Sequence, residues 1–186
     1  MCSRAVPLLV LDYCFIKHAG DERFLTVLVG RLYPARAIFA VPCSAKGADV
    51  HATRRLAAFL RAAGTSQFTF MCDQEGALKT MMAEAMEQAK AMGEYLGAVP
   101  ENSAVGESQS NGRAERAVQQ LEDHVRTFLG ELEHRLGQSI KSDHPILAWL
   151  VEYAAVVLNK YHVQEAIDQS AYEFLHGRKA SDERLA

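Results

Sequence analysis

The sequence predicts an α/β fold, a mixed five-stranded sheet flanked by helices, and three observations predict it. Residues 7–41 hold three apolar runs joined by short turns, the pattern of an antiparallel meander. Residues 49–99 then alternate helix, strand, helix and a short edge strand, which adds two strands. The remainder is dominated by amphipathic helices able to cover the sheet.

Residues 7–16 form a nearly continuous apolar run, as expected of a strand covered on both faces. Asp12 interrupts it. Aspartate is depleted in strands and a buried, unpaired carboxylate is costly, so Asp12 calls for either a lysine or arginine partner or a metal ion. His18-Ala19-Gly20-Asp21-Glu22 reads as a turn, residues 24–29 and 35–41 as the next strands, and residues 30–34 as the loop between them. Asp49 is a helix N-cap, with Val50, Leu56, Phe59 and Leu60 on the inner face of a helix reaching about Ala63. Arg54, Arg55 and Arg61 lie off that stripe, on a solvated face.

Gly64-Thr65-Ser66 turns the chain into a strand over 67–72 that ends at Asp73. Asp73 has two readings, a cap for the following helix or a functional carboxylate. In that helix Leu78, Met81, Met82, Ala85, Met86, Ala89 and Met92 form a core-facing stripe. Residues 95–99 suggest an edge strand, and 100–112 a loop of functional length that ends in the turn-forming run Ser108-Gln109-Ser110-Asn111-Gly112. A long helix is expected from residue 112 or 113 to about 136, with Gly130 as a candidate break. Ala114, Val118, Leu121, Val125, Phe128 and Leu132 make its buried stripe, while Glu115, Gln119, Glu122 and Arg126 share a polar face. Glu115 is thereby presented at the mouth of the loop. Ser142-Asp143-His144-Pro145 starts a further helix whose broad apolar surface, 146–158, offers one side to the core and another to a second subunit. Residues 170–176 read as a last short helix, giving a core over 1–178 and a polar tail over 179–186.

Composition narrows the function classes. No apolar run approaches bilayer length, and the apolar N-terminal run, broken by Asp12, has no cleavage site after it. Four scattered cysteines without a CxxC pair fit reduced thiols in a cytosolic or nuclear setting and exclude a zinc ribbon. A net charge of −3 gives no overall basic footprint for nucleic acid. Acidic chemistry is the stronger signal. Where the first and fourth strands are neighbours, Asp12 and Asp73 converge near the middle of the sheet, and the helix bearing Glu115 completes a three-acid cluster. Oxygen-only ligands suit Mg2+ or Mn2+, and two such ions about 3.5–4 Å apart can clamp an in-line phosphoryl displacement, as in nucleases and polynucleotidyl transferases.

The segments LDYCFI, CDQEG and QSNGRAERAV resemble, in order and context, the three acidic motifs of the DDE integrase core of retroviruses and LTR retrotransposons. The last is the specific one, a Gln-Ser-Asn-Gly turn feeding a helix with the glutamate. The resemblance spans 7–178 and implies a ribonuclease H-like fold, with Asp12, Asp73 and Glu115 as catalytic ligands of two Mg2+ or Mn2+ ions. It further implies DNA 3'-end processing and strand transfer on element ends and target DNA, a homodimer or higher oligomer, flanking polyprotein domains, no membrane, and a nuclear or cytoplasmic particle. Gln109, Asn111, Arg113, Arg116, Gln119 and Arg126 are the DNA-contact candidates. The chain departs from the family where Gln74 and Glu75 separate the second acid from Gly76, where 41 residues part Asp73 from Glu115, and where Gln119 and Glu122 replace lysines on the glutamate helix. Two rival readings share the fold: a ribonuclease H-type nuclease and a domesticated, non-catalytic DNA-binding or dimerisation module.

Overall fold

A computed structural model describes residues 6–17, 21–64, 66–72, 76–91, 97–100 and 108–181. Cys2, the turn at 18–20, Thr65, Asp73, Gln74, Glu75, Met92, the predicted start of the edge strand at 95–96, the loop over 101–107 and the tail over 182–186 lie outside them. Five strands, β1 (Leu8–Ile16), β2 (Leu25–Tyr33), β3 (Ala37–Cys43), β4 (Gln67–Cys72) and β5 (Gly97–Pro100), form one sheet in the order β3-β2-β1-β4-β5. The first three pair antiparallel, and β1–β4 and β4–β5 pair parallel, so the sheet is mixed.

Period-two alternation splits each central strand between two cores. Leu9, Leu11 and Tyr13 of β1, with Leu28 and Phe39, pack against α1 (Val50–Ala62) and α2 (Gly76–Ala91). Cys14, with Val27, Val29, Ile38 and Ala40, packs against α3 (Ser108–Leu136) and α4 (Pro145–Tyr161). This double coverage is why the strands read as unbroken apolar runs. At the β3 edge, Asn159 of α4 accepts the Ile38 amide and donates to the Ile38 carbonyl, both at 2.7 Å, standing in for a neighbouring strand. A short ladder of β6 (Val163–Gln164) and β7 (Gln169–Ser170), absent from the sequence reading, leads into α5 (Ala171–His176), capped by Ser170.

Four local expectations are corrected. Residues 30–33 belong to β2, not to a loop: Gly30 sits opposite Leu11, where an added Cβ would lie 2.8 Å from Leu11 Cδ2, so this glycine serves close approach rather than a turn. Residues 108–112 are the first turn of α3 and not a turn before it; residues that favour turns are tolerated at a helix start, where the amides have no intrahelical partner. α3 also continues through Gly130, anchored by Val125 before it and by Glu133, which accepts the Ile140 amide at 2.7 Å, after it. Val50 is exposed, because the first turn of α1 projects beyond the core that buries Leu56 and Leu60.

Asp49 caps α1 as expected, accepting from the Ala52 amide at 3.0 Å and from the Ser44 amide and hydroxyl at 3.0 and 2.8 Å. Partial burial alone would raise its carboxyl; these hydrogen bonds outweigh it and hold the group below its ordinary value. Asp49→Ala is expected to lower unfolding stability by about 1 kcal/mol in denaturant melts. Because the folded value is depressed, that contribution is present above the ordinary carboxyl range and lost as pH falls through the folded value. The two proteins therefore converge in acid.

Candidate catalytic and nucleic-acid site

Alternation along β1 turns Asp12 toward the α3 layer, the side taken by Cys14. Asp12 is half-buried and its carboxylate accepts the Tyr13 amide at 2.7 Å. Burial first, then the negative charges of Glu122 and Asp12, push the Cys14 thiol up to about 12, which places both acids near that sulfur. Cys43, also raised to about 11 by burial, is equally unreactive, and neither thiol is in a disulfide.

α3 runs in the same direction as β1. Arg113 and Arg116 share a groove with Leu8, Glu122 lies near Cys14, and Val125 and Arg126 line a cleft with Ile16 and Lys17. Asp12 lies on the β1 face turned to α3 and Glu115 on the exposed flank of that helix, so the two acids belong to the same layer of the fold. Glu115 is exposed, two residues before Ala117, whose burial fixes the helix on the sheet. β4 lies beside β1 with Cys72 opposite Leu11; Asp73 itself lies outside the described residues. Among the described residues no three His, Cys, Asp or Glu side chains gather closely enough to hold a metal ion, and Asp12 and Glu115 offer oxygen donors only.

The other candidates are distributed unevenly. Gln119 is exposed on the Glu115 flank of α3. Arg126 is occupied by Asp123 at 3.2 Å and Glu122 at 3.4 Å. Arg113 lies over the Tyr33 ring at 5.5 Å, and Arg116 is exposed beside it, on the opposite flank. Gln109 and Asn111 belong to the first turn of α3, and their side chains lie outside the described ones. Arg31, in the stretch expected to be a loop, is buried in β2 and donates to Gln120 Oε1. An arginine inside an apolar strand was its visible signal. On the face expected to meet a second subunit, Trp149 is exposed and stacks on Tyr153 at 4.7 Å, while Glu152 binds Arg55 at 2.5 Å and ties α4 to α1 around the β3 edge.

A mixed sheet of this order, sandwiched by helices with an acid on its first strand, defines a ribonuclease H-like fold. Among solved structures the likeness is to retroviral integrase catalytic cores. The HTLV-2 integrase core, determined in complex with magnesium in a trimeric form, matches over 91% of this chain and 95% of its own, with a TM-score of 0.63 and 12% identity. The BIV integrase core matches over 90% and 92%, with a TM-score of 0.59 and 15% identity. A chain of the simian T-cell lymphotropic virus intasome matches over 96% of this chain and 57% of its own, with a TM-score of 0.66 and 13% identity. No family model matches the sequence, and no curated protein does. At these identities the likeness is one of fold.

Proposed function

We propose that this chain is the catalytic core of an integrase-type polynucleotidyl transferase that carries out DNA 3'-end processing and strand transfer. The observation that carries the reading is the shared layer of Asp12 and Glu115 on a sheet with the integrase-core fold. The parallel ladder supports adding Asp73, which follows Cys72, the partner of the residue before Asp12. Three carboxylates are a hard oxygen donor set that fits Mg2+ or Mn2+, two ions in this reading, and the HTLV-2 neighbour contains magnesium. When bound, such ions supply charge stabilisation for an in-line phosphoryl displacement and an activated oxygen nucleophile.

The chain's own residues then have distinct tasks. Asp12, Asp73 and Glu115 hold the ions, and the Tyr13 amide orients Asp12. Gln109, Asn111 and Gln119 contact the DNA end on the flank of Glu115, and Arg113 and Arg116 contact phosphates. Arg126 joins them only by leaving Glu122 and Asp123. Affinity resting on phosphate contacts makes binding strongly salt-dependent. The active form is a homodimer or higher oligomer, as in the dimeric and trimeric HTLV-2 cores, within a longer polyprotein product that acts in a nuclear or cytoplasmic particle.

Strand-transfer reversal on branched DNA tests the reading. Rejoined and released strands are expected with Mn2+ and none in chelator, with no cleavage of an RNA:DNA hybrid. Hybrid cleavage without strand transfer would replace it by a ribonuclease H-type nuclease.

A further inference from the structure

Four described arginines are neutralised locally: Arg23 by Asp143, Arg55 by Glu152, Arg126 by Glu122 and Asp123, and Arg135 by Glu131. Arg36, Arg113 and Arg116 differ. Among the described residues none of the three pairs with a carboxylate, and all three line one open groove of about 520 Å³ together with Leu8, Tyr33 and Ile167. Behind the groove lies Arg31, 5% exposed, which donates to Gln120 and has a buried Nε without a partner. Burial first, and then the charges of Arg36 and Arg116, depress its guanidinium, offset by Tyr33, so these groups act on one another through space. A chain of net charge −3 thus concentrates unneutralised positive charge in one concavity.

The groove is separate from the acids. Arg113, Arg116 and Gln120 follow one flank of α3, toward Arg31 and Tyr33 of β2, whereas Glu115, Gln119 and Glu122 follow the other, with buried Ala117 and Leu121 between them. Two features hold the charges in place. The Tyr33 ring lies 5.5 Å beneath the Arg113 guanidinium. Arg36 adopts a left-handed backbone, φ 56°, a conformation in which glycine would be less strained.

We infer that this groove is a docking track for the phosphodiester backbone of duplex DNA, engaging a segment other than the one that reacts at the acids. The inference rests on the transferase reading for its partner: a linear, repeating polyanion matches several unpaired guanidinium groups spread along an open concavity, which an enclosed single-phosphate site would not need.

Fluorescence anisotropy of a short random-sequence duplex in EDTA, across about 50–200 mM salt, tests it without any catalytic step. Each phosphate contact contributes about 0.9 to the slope of log affinity against log salt, so Arg113→Gln with Arg116→Gln should flatten that slope by about 1.8 and Arg36→Gly by about 0.9. Arg36→Gly should do so with an unchanged or higher melting temperature, since glycine relieves the left-handed strain; that excludes unfolding as the cause. Lys79→Gln with Lys90→Gln, exposed on α2 across the sheet, should leave the slope unchanged. Equal slopes in all variants, or no duplex binding by the parent protein, would overturn the inference. Strand transfer with unchanged slopes would remove the groove alone; flattened slopes without any strand transfer would remove the transferase reading and keep the groove.

Discussion

Glu115→Gln should abolish strand-transfer reversal, a loss of more than about 100-fold, while leaving the melting temperature where it was. The magnitude follows from the role: outer partners of metal ligands already cost about 10–100-fold when removed, and a ligand contributes more than its supports. The change keeps the size and hydrogen-bonding reach of the side chain and removes only its charge, the quantity a divalent cation requires. Stability is spared because Glu115 is exposed on α3, and surface changes of this kind stay within about 0.5 kcal/mol. Undiminished turnover in the variant would remove Glu115 from the chemistry, whatever the fold.

Phe68→Ala should be the most damaging single change to the fold. Phe68 is 1% exposed in β4, between β1 and β5, and its side chain enters the core shared with α1 and α2. Emptying such a site costs about 3–5 kcal/mol, because the surroundings only partly collapse into the cavity. For a domain of this size that is a fall of roughly 6–20 °C in melting temperature. Activity should decline with it, since β4 carries the chain into Asp73. A loss below about 1 kcal/mol would contradict the packing of β4 described above.

The elements that were legible in advance are those whose signal is local. The strand at 67–72 ends where its apolar run ends, and the Asp49 cap announces α1, because both depend on residues within one turn or strand. Gly30 shows the limit: a glycine demanded by the approach of a neighbouring strand looks, in sequence, like a glycine in a turn. The run from Ser108 to Gly112 is similar, since turn formers and helix-start residues are largely the same types. For the site, a charged residue inside an apolar run is the local signal, clear at Asp12 and masked at Arg31. Asp12 stands inside a run that reads as a strand throughout, whereas Gly30 makes the run before Arg31 read as ended. The arginine groove is a property of β2, the β2–β3 turn and α3 together, and no single stretch of sequence displays it.

The central claim is that Asp12, Asp73 and Glu115 form one divalent-metal site, and the most direct measurement is titration of the protein with Mn2+, following the free ion by electron paramagnetic resonance. The account predicts depletion of free Mn2+ by the parent protein, with marked weakening in each of Asp12→Asn, Asp73→Asn and Glu115→Gln while every variant stays folded. Parent-like affinity in all three variants would contradict it.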